Sequence, residues 1–113
     1  MLERKHRFHG YSSLKKVYPK TKTIRGGFVS LRYAERPPGK PYRVAVVVGR
    51  KVHKSAVKRN RIRRRIYEAV RMSHSIPSST DLIFNVYSDQ LAEIEYKKLQ
   101  EQINELLTKV SQR

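Results

Sequence analysis

The chain holds 113 residues, the length of one small domain, and its 26 lysines and arginines stand against 9 acids for a formal charge of +17. Such a charge strains a compact fold by self-repulsion unless a polyanion neutralises it, and nucleic acid is the leading partner. The absence of cysteine excludes a disulfide framework and thiolate metal sites, and the longest unbroken apolar run, the five residues Val44 to Val48, is too short to span a bilayer.

Residues 1–10 are basic with no apolar stretch behind them, so they read as a flexible arm and not as a secretory signal, and the chain reads as cytoplasmic. His6 and His9 lie in this arm and read as polar residues of it rather than a metal pair. Residues 11–18 predict a short helix, with Ser12 or Ser13 as its cap and Leu14, Val17 and Tyr18 on one face; Pro19 ends it. Gly26-Gly27 marks a turn. Phe28 to Tyr33 predicts a strand that alternates Phe28, Ser30 and Arg32 against Val29, Leu31 and Tyr33. Pro37-Pro38-Gly39-Lys40-Pro41 reads as a hairpin loop, and Tyr42 to Val48, with valines on both faces, as a central strand.

A helix is predicted from about Ser55 to Arg71. Ile62, Ile66, Ala69 and Val70 fall on one side, and Asn60, Arg61, Arg64, Arg65 and Arg71 on the other. After a serine-rich loop, Asp81 to Tyr87 predicts a strand with Leu82, Phe84 and Val86 on one face and Ile83, Asn85 and Tyr87 on the other. Ser88 is the expected cap of a last helix running to about Val110, whose Tyr96, Leu99, Ile103, Leu106 and Val110 pack on the domain's own sheet. The fold class is α+β: a small mixed sheet with helices laid on it, in the order α-β-β-(β)-α-β-α, with residues 1–113 as one domain.

The charge is unevenly spread. Residues 50–71 hold ten basic residues and one acid, whereas residues 72–113 hold four basic residues and six acids. Ten cations with one acid among them have almost nothing to pair with inside the segment, which points to a binding surface. Arginine suits phosphate because its planar fork donates two parallel hydrogen bonds and never loses its charge. On the helix, Lys58, Arg61 and Arg65 form one row and Asn60 and Arg64 the next. Protein-borne catalysis finds no support: there is no phosphate-cradling glycine loop, no nucleophile elbow, no zinc-protease motif and no calcium loop. A DNA-reading helix fits less well, because so many arginines on one helix suit phosphates better than base edges. A membrane-surface helix fails for want of bulky aromatic anchors.

The segment Ala56-Val57-Lys58-Arg59-Asn60-Arg61-Ile62-Arg63-Arg64 resembles the bacterial ribonuclease P protein family, whose hallmark is an Arg-Asn-Arg core preceded by Ala-Val and a basic loop. The order of elements and the chain length match the family as well. The resemblance implies a protein cofactor of an RNA enzyme, ribonuclease P, an endoribonuclease that removes the 5′ leader of precursor tRNA. Catalysis is carried by the RNA subunit and by magnesium held mainly there, with no catalytic or metal-binding protein residue. The implied partners are the RNA subunit and precursor tRNA, with no membrane and no obligate protein partner. Contacts to the catalytic RNA are implied for Arg59, Asn60 and Arg61, with Arg50, Lys51, Lys58, Arg64 and Arg65 in support. A leader-binding cleft between the first helix and the open sheet face is implied at Tyr18, Tyr33, Ala45, Val47, Asn85 and Tyr87. A left-handed crossover from strand 42–48 through helix 55–71 to strand 81–87 is also implied. Two departures from the family stand out: Leu14 takes the place of a first aromatic in the first helix, and the loop Gly49-Arg50-Lys51 is one residue longer than the commonest form. The alternative is a small ribosomal or general RNA-binding protein.

Overall fold

The computed structural model describes residues 3–8 and 10–112; His9 of the histidine pair lies outside them. Helix α1 (Tyr11–Val17) leads through a 3-10 turn into strand β1 (Lys22–Arg25), followed by β2 (Val29–Glu35) and β3 (Arg43–Val47). Helix α2 (Ala56–Arg71), strand β4 (Thr80–Val86) and helix α3 (Tyr96–Ser111) complete the chain. The four strands form one mixed sheet in the order β1-β2-β4-β3, with β3 and β4 parallel and the other pairs antiparallel. A parallel pair needs a long crossover, and α2 supplies it.

One sheet face carries the core. Val29, Leu31 and Tyr33 of β2, Val44 and Val46 of β3 and Leu82, Phe84 and Val86 of β4 pack with Ile62, Ile66, Ala69 and Val70 of α2. Leu99, Ile103, Leu106, Leu107 and Val110 of α3 close the same core. Burying each large aliphatic side chain contributes roughly 1.5–3 kcal/mol, against about 0–1 kcal/mol for an exposed ion pair. The apolar stripe of α2 therefore decides which way that helix faces, and its charges follow. Ser55 caps the helix, its hydroxyl accepting the Lys58 N–H at 3.4 Å.

Several expectations change. The loop at residues 37–41 is no hairpin: β4 lies between β2 and β3, and the real hairpin turns at Gly26-Gly27, pairing Arg25 with Ser30. β1 escapes a pattern search because Lys-Thr-Ile-Arg offers one apolar residue and lies at an edge, where lysine is at home. β3 is an edge strand, and β2 and β4 are the interior ones. The valines of β3 report how its faces are covered, not how many strands flank it. Its free edge is capped in part by Arg7, which forms a parallel bridge to Val44.

That bridge also changes the reading of the N-terminal segment. Its described residues lie along β3: the His6 ring donates to the Tyr42 carbonyl at 2.9 Å and stacks on the Tyr42 ring, and the Arg43 guanidinium lies 4.4 Å over Phe8. At α1, neither Ser12 nor Ser13 is the cap. Gly10, with φ of 84°, occupies that position, and the Ser13 hydroxyl donates back to its carbonyl at 3.0 Å. Ser88 caps a 3-10 turn at Asp89–Ala92, which drops Leu91 and Ala92 into the core, and α3 starts only at Tyr96.

Asp81, 3% exposed, ties the parallel pair together. It accepts both arms of the Arg43 fork at 2.8 and 3.0 Å, with Arg36 3.7 Å away. Asp81→Asn removes the charge that satisfies two arginines, so it is expected to lower stability by roughly 1.5–3 kcal/mol. Urea denaturation measures this; an unchanged midpoint would show that the fork contributes nothing.

Candidate nucleic-acid interface

The loop that follows β3 is built onto the start of α2. The Val52 N–H donates to the Gly49 carbonyl at 3.0 Å, and the Ser55 N–H donates to His53 Nδ1 at 2.9 Å. In that bond His53 Nδ1 is the acceptor. Arg59 turns back over this loop, and its Nη1 donates to the carbonyls of His53 and Lys54, each at 2.9 Å.

Arg65 also turns inward. It donates to the carbonyl of Leu91 at 2.7 Å and to that of Ile94, fastening the 3-10 turn to α2. Its pKa is lowered, first by burial and then by the charge of Arg61. Arg63 reaches the Val48 carbonyl at 3.5 Å and donates to the side-chain oxygen of Asn60, which is itself exposed. The predicted row of Lys58, Arg61 and Arg65 is therefore not uniform. Arg65 holds the fold, whereas Lys58 and Arg61 face Glu93 at 2.6 and 4.0 Å.

Arg50, Lys51 and Arg64 are exposed and make no ion pair with any described residue. Sequence reasoning passed over two further members of this face. Lys54 is exposed beside them, and Val57, 72% exposed, stands apolar among the cations. The inward turn of Arg59 and Arg65 depends on carbonyls up to 29 residues away, which no helical periodicity reports.

The second sheet face is only partly covered. Leu14, Lys15, Tyr18 and Pro19 line a groove with Val47 and Asn85, neighbours across β3 and β4. Ala45 is buried on the same face, and Val47 is 38% exposed. Tyr87, 60% exposed, shares a 2.6 Å hydrogen bond with Ser30. Tyr33 does not join them. It sits in the core, on the opposite face, in step with Val29 and Leu31. Strand alternation separates Tyr33 from Arg32, and Arg32 is the β2 residue that reaches the 3-10 turn after α1. Its guanidinium lies 4.2 Å over the Tyr18 ring, and its Nε donates to the Thr21 hydroxyl at 2.8 Å. Groove and basic loop adjoin along the chain, since only Val48 stands between Val47, the last residue of β3, and Gly49-Arg50.

The ribonuclease P family model matches residues 2–111. The chain is 31% identical to the ribonuclease P protein component of Synechococcus sp., over 96% of this chain and 84% of that protein. It is 32% identical to the ribonuclease P protein component of Chloroflexus aggregans, over 94% of this chain and 78% of that protein. The structure is similar to that of the Staphylococcus aureus RNase P protein, with a TM-score of 0.74 at 19% identity over 94% of each chain. That last likeness is one of fold alone.

The Arg59 clamp has a direct consequence. Arg59→Ala is expected to speed amide hydrogen exchange across residues 52–55 while leaving the buried turns of α2 protected. Unchanged exchange in the loop would mean that the two carbonyl bonds do not order it.

Proposed function

The chain belongs to the bacterial ribonuclease P protein family, and from that premise we propose that its basic loop and α2 bind the catalytic RNA while the groove beside α1 holds the 5′ leader of precursor tRNA. Membership makes it a component of an endoribonuclease holoenzyme that acts in tRNA 5′ maturation. It also implies association with the ribonuclease P RNA. The division of labour between the two surfaces is our reading.

The observation that carries this reading is the exposed cationic face of α2, set on a helix whose other side is locked into the core. Arg50, Lys51, Asn60, Arg61 and Arg64 present donors to solvent on a rigid backbone, the arrangement that a folded RNA's phosphates require. Lys58 belongs to the same face. Arg59 acts through its clamp on the loop and Arg65 through its clamp on the turn, so both are positioning residues for the surface around them.

In the groove, Tyr18 offers a ring face to an unpaired base. Arg32 lies over that ring and places a positive charge beside it. Asn85 adds an amide and Val47 an apolar floor, while Tyr87 stands beside the groove. Stacking of this kind holds single-stranded RNA with little regard to sequence, which suits leaders of varied sequence.

The family implies magnesium. Among the described residues no group of three His, Asp or Glu side chains converges. In this reading the ion belongs with the RNA, and the protein binds and orients. No described helix is long and apolar enough to cross a membrane.

Reconstitution tests the reading. The full chain added to a ribonuclease P RNA subunit is expected to raise precursor cleavage at low magnesium, and to cut nothing alone. Cleavage by the protein without RNA would overturn it. Tyr18→Ala is expected to weaken holoenzyme binding of precursor by roughly 1–3 kcal/mol while sparing mature tRNA, the weight of one base stack. Equal losses for the two RNAs would place Tyr18 outside the leader path.

A further inference from the structure

Among the described residues Glu93 is the acid that pairs with the basic row of α2, and Asp89 lines the same cavity. Glu93 Oε1 accepts from Lys58 Nζ at 2.6 Å, and Glu93 Oε2 lies 4.0 Å from Arg61 Nη2. The one acid within the 50–71 segment, Glu68, is engaged by Arg71 at the far end of the helix.

The position of Glu93 is built, not incidental. Arg65 grips the carbonyls of Leu91 and Ile94, which bracket Glu93, and Leu91 and Ala92 anchor the same turn in the core. The carboxylate is thus carried to the helix by backbone that is itself bolted to it. Its pKa lies below the ordinary range, first through the Lys58 hydrogen bond and then through the charges of Lys58 and Arg61, so it is an anion at neutral pH. The side chains of Lys58, Arg61 and Glu93 are 41, 50 and 60% exposed, so a ligand reaches all three from solvent.

A carboxylate and a phosphodiester each carry one negative charge on two equivalent oxygens, and both satisfy a lysine and an arginine set side by side. We propose that Lys58 and Arg61 form a phosphodiester-binding notch that Glu93 fills in the free protein, and that an RNA phosphate displaces Glu93 when it binds. Glu93 is a built-in counter-anion. It relieves the repulsion among Lys58, Arg61 and Arg65 while no RNA is present, and it opposes RNA at the same place. An exposed ion pair is weak enough to be exchanged, so the notch is covered without being closed. The proposal rests on the reading of α2 as an RNA-binding face.

The test is a double-mutant cycle on the full chain, measuring affinity for the ribonuclease P RNA subunit at fixed salt. Glu93→Gln keeps the shape and removes the charge. It is expected to tighten binding about 2- to 5-fold, the weight of one exposed ion pair. Lys58→Ala is expected to weaken binding more in the Glu93→Gln background than in the wild type, because in the wild type Lys58 must first be released from its acid. Unchanged or weaker binding by Glu93→Gln, or an equal Lys58→Ala loss in both backgrounds, would overturn the proposal. Arg64→Ala separates this failure from a failure of the underlying reading. If Arg64→Ala weakens binding while the cycle is flat, only the counter-anion is refuted. If Arg64→Ala has no effect either, α2 is not the RNA-binding face.

Discussion

The structure depends on the docking of a strongly basic helix through a narrow apolar stripe. Ile62, Ile66, Ala69 and Val70 are fully buried, and they alternate along α2 with seven arginines and lysines that no apolar core accepts. Because β3 and β4 are parallel neighbours, the chain must cross between them, and α2 is that crossing. The element that carries the charge is therefore also the element that closes the sheet. Its cations stand on a rigid scaffold, and a ligand that binds them need not pay to order a loop first.

Not every cation in such a helix serves a ligand. Arg59 and Arg65 donate to backbone carbonyls of the loop and of the 3-10 turn. Arginine does this well because its fork satisfies two acceptors from one side chain. The same turn that Arg65 holds brings Glu93 to Lys58. Structural and binding roles are thus interleaved within three consecutive turns of helix. On the other side of the sheet, Arg32 shows the same economy, with one guanidinium stacked on Tyr18 and bonded to Thr21.

Much of this was legible in the sequence. Alternation in residues 28–33 and 81–87 identified the face of each strand residue, and the 3.6-residue period separated the buried and charged sides of α2. Both patterns report burial, so they hold wherever burial is the controlling force. Lateral pairing is a different quantity. The valines of β3 suggested a central strand, yet that strand is an edge covered on its faces, and the proline loop before it joins strands that do not pair. Tyr33 was grouped with the groove on chemistry and the family resemblance, although its own alternation with Arg32 placed it on the core side. The inward turn of Arg65 and the approach of Glu93 depend on contacts distant in sequence, and that of Arg59 on a loop just before the helix, which charge counting registers only as a sum.

The account holds that two separate surfaces meet two separate RNAs. Because the chain contains no cysteine, a single introduced thiol can carry a tethered iron chelate that cuts nearby RNA. Such probes at Ala56→Cys beside the basic loop, Lys15→Cys beside the groove and Lys97→Cys on α3 map the contacts in one reconstituted holoenzyme with precursor tRNA. The account predicts cuts in the RNA subunit from residue 56, cuts in the leader from residue 15 and none from residue 97. Strong cutting from residue 97, with none from residue 56, would contradict it.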